Sequence, residues 1–544
     1  MQIISDHTGF SIYISNEKIF RFNSCIQSEI NGNVLTENPS VFEAADGKYI
    51  WKTNTNTTYT LTVKDNSAVF STTLNKKGKL GQIEFLKTDE YYASGFYSPI
   101  VGPNGDVGLY KPMNNSETGR SAFFAPYPLC YVFNMEDCDK MLGISLIANA
   151  GEYNFNNFFY NYNDKHISFS IDYSEYTEIN GEYNLPDIVF FEGNDRFDIL
   201  KKYSDFHYEN GYVKKANHIV YDWWKESSLC GWGDQWIIAA SNSETNNAAW
   251  DEDAVAENAK KQNNVMTTFD KAISISNEKT YRNIIKKTEE KNIEYGTLII
   301  DCKWQKAFGT MEVDSSKWPD IRSFIDEMHK KGKKVLLWLN FWSVEGLPLD
   351  ECITKEGKAL YADPTSPKYI ERIDKIMNYL LSDNDSCCNA DGFKIDFVEF
   401  PKEKALSIYE KDIFGIELIK KRAEIIYKSA KKVKKDALIS SQHVHPYFDD
   451  CMDVMRIGDY FSASNRAKEN LYTRVGMLNA TLPDILADTD APSGANRHDA
   501  LVYFRHSVKL GIPSIYGIDI YDRFFNDADW AEIAELYKNY KNNL

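Results

Sequence analysis

Metal and nucleotide signatures are missing from this sequence: it holds no HExxH pair, no Walker loop and no GxGxxG fingerprint, so no metal and no cofactor are expected. Cysteines are few and scattered, nine in 544 residues, with no CxxC spacing and only Cys387 and Cys388 adjacent. That gives no disulfide framework, and reduced thiols are expected. The start, Met1-Gln-Ile-Ile-Ser-Asp-His, lacks a basic segment followed by an apolar one, and no apolar run approaches the length of a membrane span. Membrane partners are therefore excluded and a cytoplasmic protein is expected. The sequons at Asn56, Asn114, Asn384 and Asn479 are then chance matches. Basic charge is also short, 62 Lys and Arg against 79 Asp and Glu for a formal net charge of −17, so nucleic acid is repelled and neutral substrates fit better. No internal repeat or low-complexity tract is present.

Aromatic residues are the surplus: 14% of the chain, with 11 Trp and 34 Tyr, within a hydrophobic content of 43%. Rings stack on the apolar faces of sugars, but they also fill large cores, so composition suggests sugars without selecting them. At this length two domains or more are expected. Residues 1–212 read as all-β. Alternating runs such as Thr60-Leu-Thr-Val-Lys and His166-Ile-Ser-Phe-Ser-Ile-Asp are separated by Asn, Gly and Asp turn signals, which predicts an N-terminal β-sandwich domain. The Gly- and Pro-containing stretch 95–105 is a loop with the length to reach a neighbouring domain's site, although a surface loop is the default reading.

From residue 213 to 544 the pattern changes to apolar, β-branched runs alternating with charged helical segments, the signature of βα units. Eight candidate strands lie at 229–234, 295–301, 334–341, 391–397, 437–443, 452–458, 484–488 and 512–518, with helices at 277–291, 320–331, 367–381 and 416–434 between them. Eight such units predict a (β/α)8 TIM barrel, an α/β fold whose chemistry sits where its strands end.

Those ends are polar and aromatic: Gly231-Trp-Gly-Asp234, Asp301-Cys-Lys-Trp304, Asn340-Phe-Trp342, Lys394-Ile-Asp396, Gln442-His443, Arg456-Ile-Gly-Asp459, Asp488-Thr-Asp490 and Tyr516-Gly-Ile-Asp519. Lys394 and Asp396 are two apart on a strand, so both leave the same side. Charges on a packed face mark either a structural ion pair or a site that binds or reacts. Taken singly, a strand-end Asp is often a loop cap, and His443 and His445 are more often packing residues than ligands. Carboxylates at so many ends, together with Trp232, Trp304 and Trp342, give what a sugar pocket needs: platforms for rings and acceptors for hydroxyls.

Cleaving a glycosidic bond takes two carboxylates, about 5–5.5 Å apart in a retaining enzyme. Asp396 and Asp459 are the natural pair, with Lys394 keeping Asp396 ionised as a nucleophile requires. Arg456 orients the site or binds a hydroxyl. Glu399 and Asp453 are the rival carboxylates, one off the right face and the other too early in its strand. Asp234, Asp301, Asp488 and His443 complete the substrate-binding candidates.

Lys394-Ile-Asp396-Phe, preceded by Asp391-Gly, and Asp453-Val-Met-Arg-Ile-Gly-Asp459 resemble the nucleophile and acid/base motifs of the clan D glycoside hydrolases. Family 36, the α-galactosidase-like retaining enzymes, is the nearer in form, and the α-glucosidase and α-xylosidase family 31 is similar too. The resemblance implies an α-galactosidase-like retaining hydrolase of oligosaccharides or small α-glycosides, acting through a covalent glycosyl-aspartate on Asp396 with Asp459 as acid/base. It also implies a β-supersandwich at the N-terminus; a homo-oligomer is left open. Three departures stand out. Asp301 is followed by Cys302 where many family 36 enzymes carry a second aspartate for galactose O4 and O6. Ser441-Gln-His-Val-His-Pro-Tyr replaces a Cys- and Gly-rich loop. The arginine motif is one residue shorter than usual. The chain also ends soon after the last strand, so the C-terminal β-domain usual in both families is not expected. A non-catalytic carbohydrate-binding relative is the other class, and retention of both carboxylates favours the enzyme. The expected architecture brings Asp301, Asp396, Asp459 and Asp488 around one cavity lined by the three tryptophans.

Overall fold

The computed structural model describes residues 1–64, 67–91, 93, 95–97, 109–110, 125–126, 129–135, 138–163, 166–241, 268–398, 403–458, 467–490 and 496–544. Asp459, Glu399 and most of the 95–105 loop lie outside them.

The N-terminal half is antiparallel, in a four-stranded and a fourteen-stranded sheet. Its organising element is the 19-residue strand Ser67–Phe85, which pairs along its length with Thr58–Lys64, Asp187–Gly193, Glu178–Asn184, Ile26–Ile30 and His166–Asp172. Alternation of buried and exposed residues along that strand is the period-two pattern that drives one face into the core. The core is largely aromatic: Phe10 meets Phe22 at 5.4 Å and Phe190 at 5.8 Å, and Phe20 meets Phe133 edge-on at 5.1 Å. The helix Arg196–Glu209 then covers this sheet. Asp195 caps it by accepting from the amides of Phe197 and Asp198, and Ile199 seats against Gly143 and Gly193, where an added Cβ would lie 2.4 and 2.5 Å from it.

The second half is an eight-stranded parallel barrel: β1 Ser228–Cys230, β2 Thr297–Ile300, β3 Lys334–Leu339, β4 Gly392–Ile395, β5 Leu438–Ser441, β6 Val454–Arg456, β7 Leu486–Asp488 and β8 Ser514–Ile515. The strands neighbour one another in chain order, β1 also pairs β8, and a parallel bridge from Asp488 to Ile512 closes the remaining side. The expected fold class is therefore the observed one. The helices fall within a residue or so of expectation because their caps are written in the sequence: Asn277 caps Glu278–Glu290 and Asp320 caps Ile321–Lys330, each side chain accepting from an otherwise unpaired amide. The first strand is shorter than expected. It ends at Cys230, and Trp232 and Asp234 already belong to the helix Trp232–Ser241.

The start of β4 is locked by charge. Asp391 is buried and accepts from His329 at 2.7 Å, Lys334 at 3.1 Å, Lys434 at 3.0 Å and the amide of Val335 at 2.9 Å. Burial alone would raise its carboxyl, but the bond to His329 and the charges of Lys434 and Lys334 hold it well below the usual carboxylate range. Gly392 follows at φ +152, and a Cβ there would lie 2.1 Å from the carbonyl oxygen of Leu438 on β5.

The halves are joined by a polar, aromatic seam. Buried Glu417 accepts from the amide of Tyr153 at 2.8 Å and from the hydroxyl of Tyr447, whose ring stacks on Tyr153 at 4.5 Å. Tyr203 and His445 share a hydrogen bond of 2.7 Å, and the amide of Ile416 donates to the carbonyl of Phe155 at 3.1 Å.

Gly392→Ala tests this arrangement. A side chain at that φ and that close to β5 should cost about 1–3 kcal/mol from backbone strain alone, read as a lower urea midpoint. An unchanged midpoint would show that β4 and β5 are not so closely apposed.

Candidate active site

Parity decides which side chains enter the barrel mouth. In the β3–β4 ladder Trp338 pairs with Lys394, and in the β2–β3 ladder Ile300 pairs with Leu337. Asp301, one residue beyond Ile300, therefore shares a level with Trp338 and Lys394, while Asp396 stands one level higher. The contacts follow. Lys394 Nζ donates to Asp301 Oδ2 at 2.8 Å and to the Tyr516 hydroxyl at 3.2 Å, and the thiol of Cys230 donates to the same Asp301 oxygen at 3.1 Å. Tyr281 fixes the backbone from behind, its hydroxyl accepting from the amide of Asp301 at 2.6 Å.

Asp396 is held by other groups. Its Oδ1 accepts from Arg456 Nη2 at 2.9 Å and from the amide of Phe397 at 3.2 Å, and its Oδ2 accepts from Trp338 Nε1 at 2.9 Å. Burial pushes its carboxyl up, but the Arg456 guanidinium first, then the Lys394 charge and the Trp338 hydrogen bond, bring it below its ordinary value. The expected effect of Lys394 on Asp396 is therefore present, but second to that of Arg456. Lys394 pairs directly with Asp301 and reaches Asp396 only through space, and Arg456 is the ion partner of Asp396. Side chains two apart on a strand stand side by side, and each finds its partner across the barrel instead of in the other.

Arg456 links further groups. It donates to Gln442 Oε1 at 2.8 Å and to Asp490 Oδ2 at 3.1 Å, and Asp490 also accepts from the hydroxyl of Tyr516. A continuous chain therefore runs from Asp301 through Lys394, Tyr516, Asp490 and Arg456 to Asp396. Asp488 lies at its edge. It accepts from the amide of Asp490 at 2.8 Å and from Ser514 Oγ at 3.1 Å, and burial followed by the charge of Asp490 pushes its carboxyl up to about 6.

The three predicted tryptophan platforms do not form one surface. Trp304 is fully buried and donates to the carbonyl of Trp338 at 2.9 Å, bracing the end of β3. Trp342 is buried beneath Arg422, whose guanidinium lies 4.5 Å from the ring centroid and donates to the carbonyls of Phe397 and Val398 just after Asp396. Both indoles hold the surroundings of Asp396 from behind. Only Trp232 is partly exposed, packed against Trp236 at 6.0 Å and Phe269 at 5.8 Å.

Two other candidates are engaged by the protein's own backbone. Asp234 is buried and accepts from the amides of Ile518 and Ile520, and burial pushes it up to about 7. His443 stacks on Phe448 at 4.5 Å and donates through Nδ1 to the carbonyl of Ala125 at 3.0 Å; burial and then the Arg422 charge lower it to about 3, so its imidazole is neutral. Ala125 itself forms a parallel bridge with His443, so the N-terminal domain does reach the mouth of the barrel, by this segment. Of the rival carboxylates, Asp453 is tied to Lys431 at 2.8 Å and Tyr427 at 3.0 Å ahead of β6, away from the strand ends. Asp459 lies outside the described residues, but the chain leading to it is fixed: Arg474 donates to the carbonyls of Ile457 and Gly458, and a Cβ on Gly458 would lie 2.0 Å from Cβ of Asp490.

Sequence reasoning passed over Trp338, Tyr516, Asp490 and Gln442. Parity was the available signal for Trp338, which shares its strand face with Leu336, a member of the inner barrel cluster. The other three stand at strand ends already named.

Residues 266–420 match the glycosyl hydrolases family 31 TIM-barrel domain. Alpha-xylosidase XylQ of Lactiplantibacillus pentosus is 27% identical over 142 residues, 22% of this chain and 18% of that protein, so the match spans less than a fifth of the relative. In structure the chain is similar to a family 31 sulfoquinovosidase from E. rectale in complex with an aza-sugar inhibitor, with a TM-score of 0.57 and 12% identity over 99% of this chain and 83% of that one. It is likewise similar to a variant of the family 36 α-galactosidase AgaA from Geobacillus stearothermophilus in complex with raffinose, with a TM-score of 0.53 and 12% identity over 98% and 77%. The fold is thus shared with solved family 31 and family 36 glycosidases. The sequence match is to the family 31 barrel domain over 266–420, and the comparisons do not single out family 36. Among the described residues no group of His, Cys, Asp and Glu is placed to hold a metal ion, and no helix is long and apolar enough to cross a membrane.

Replacing Arg456 separates its roles. Arg456→Leu leaves buried Asp396 and Asp490 without their shared cation and should destabilise the fold by about 3–5 kcal/mol. Because Arg456 depresses the Asp396 carboxyl, its loss should move the acid limb of the kcat/KM profile of any glycoside turned over toward higher pH. An unmoved limb would remove Arg456 as the group that sets the charge of Asp396.

Proposed function

We propose that the protein is a retaining α-glycoside hydrolase with Asp396 as nucleophile. The observation that carries this reading is the state of Asp396: a buried carboxylate at the end of β4, kept ionised by Arg456 and oriented by Trp338. An attacking carboxylate needs both properties. In the first step an Asp396 oxygen bonds to the anomeric carbon as the bond to the leaving oxygen breaks, and Asp459 gives that oxygen a proton. In the second, Asp459 takes a proton from water, the water oxygen bonds to the anomeric carbon, and the bond to Asp396 breaks, restoring the original configuration. Arg456 and Trp338 serve the second step as well, because they stabilise the carboxylate that departs. The role of Asp459 is supported by its motif and by the firm seating of Gly458 against Asp490.

For the sugar, the reading with more support is an α-glucoside or α-xyloside. The family 31 match and the α-xylosidase relative favour it, and so does Cys302, a buried thiol where a galactose site of the family 36 kind has its second carboxylate. An α-galactoside is the second reading, favoured by the form of Lys394-Ile-Asp396.

Aryl α-glucoside, α-xyloside and α-galactoside, followed by phenol release, decide among these. Asp396→Ala should abolish turnover of whichever is cleaved, and azide should rescue a product of inverted configuration from the vacated face. Asp459→Ala should slow poor leaving groups by about 10²–10⁴-fold while sparing activated ones, with azide giving retained configuration. Equal slowing of both substrate types, without azide rescue, would transfer the acid role to Asp488.

A further inference from the structure

A groove of about 970 Å³ lies where the N-terminal domain meets the connection leading out of β4, and none of its walls comes from the Asp301–Asp396 network. Its volume falls at the upper end of ligand sites, about 300–1,000 Å³. Three partly exposed tyrosines form fixed panels of its wall. Tyr176 is pinned by its hydroxyl, which donates to the carbonyl of Glu403 at 2.8 Å and accepts from the amide of Leu406 at 2.9 Å, and its ring stacks on Phe414 at 4.7 Å. Tyr212 donates to Asp187 at 3.1 Å and stacks on Phe206 at 5.9 Å. Tyr183 packs edge-on against Tyr173 at 6.3 Å. Rings held in this way offer flat apolar faces without an ordering cost on binding.

The polar part of the lining is acceptor-rich. The side chains of Glu178 and Glu182 are exposed and enter no hydrogen bond or ion pair with the described residues, and Asn149 and Asn184 stand exposed in the same wall. Among the described residues no Lys, Arg or His lines the groove, so phosphorylated, sulfated and carboxylate ligands are disfavoured. The carboxylates are not grouped to hold a metal ion. What remains is a neutral polyhydroxyl ligand, whose hydroxyl groups donate to carboxylates and side-chain amides while its C–H faces lie on the rings.

We propose that this groove is a second carbohydrate-binding site, which takes a neutral oligosaccharide apart from the barrel mouth. The chemistry of the groove selects the ligand class, and the glycosidase reading adds only a use for it. The position gives that use a physical form. Tyr176 holds the segment at Glu403 and Leu406, and Phe414 directly precedes the helix Gly415–Val433, so the groove lies along the connection that follows Asp396. A glycan anchored there raises the local concentration of chain ends near the mouth.

Calorimetry with maltotetraose and with stachyose on the full chain carrying Asp396→Asn, which blocks turnover, tests this. Two binding events are expected with at least one of the sugars, and Glu182→Lys or Tyr183→Ala added to that chain should weaken one of them by about tenfold or more while leaving the other. In the otherwise unaltered protein neither substitution should change kcat/KM on small aryl glycosides. Glu182→Lys alters an exposed side chain and keeps the test valid if Tyr183→Ala fails to fold. Single-site binding that neither substitution alters would overturn the proposal, as would a groove that takes spermidine and no sugar. Aryl glycosides left intact by the wild-type protein, with groove binding preserved, would sink the glycosidase reading alone.

Discussion

Arg456 is almost wholly buried and shares its guanidinium among Asp396, Gln442 and Asp490. A guanidinium taken out of water needs acceptors around it, and meeting that demand for Arg456 draws in strand ends from β4 to β7. Asp490 sits where it does because Gly458 leaves room for it, and Tyr516 on the far side of the mouth bonds to both Asp490 and Lys394. The second buried cation, Lys394, is satisfied by Asp301 in the same way. Between them the two cations tie together the ends of β2 and of β4 to β7, and the Asp396 carboxylate inherits its ionisation from that arrangement.

Around this centre the aromatic residues act mainly as props. Trp304 braces the carbonyl of Trp338, and Trp342 carries Arg422, which grips the chain after Asp396. An indole that donates one hydrogen bond and fills a large volume fixes backbone well, and rigid support behind a reacting group keeps its geometry within tolerance.

Much of this was legible in the sequence, for identifiable reasons. Strand and helix periods, with caps at Asn277 and Asp320, delivered the barrel almost element by element. Inward parity brought Lys394 and Asp396 into the mouth. Parity cannot say which of several inward partners a charge will choose, since that depends on levels across strands distant in sequence, and so the Lys394–Asp301 and Arg456–Asp396 pairings were not read. The burial of Trp304 and Trp342 was not legible for a related reason: position beyond a strand end does not tell whether a side chain turns into the mouth or back under the loop. The helix Ala467–Thr481 went unnamed because its buried face includes Asn470, Thr473 and Arg474, which obscure the apolar period. The helix Trp232–Ser241 was taken for a strand end because its Gly- and Trp-rich start carries no cap signal.

The seam between the halves is also a store of uncharged imidazoles. His207 is lowered to about 4 and His443 to about 3, and His445 also lies well below its ordinary value, in each case chiefly by burial. Between the usual imidazole value of about 6.5 and those depressed ones, an opened seam takes up protons that the closed seam refuses, so acidification favours opening. Glu417, raised by burial, works the other way, but it is one group against three. Acid should therefore part the two halves along this line before it reaches the depressed carboxylates of the barrel, and a pH titration followed through the fluorescence of the seam tyrosines would register the parting ahead of any loss of barrel helix signal.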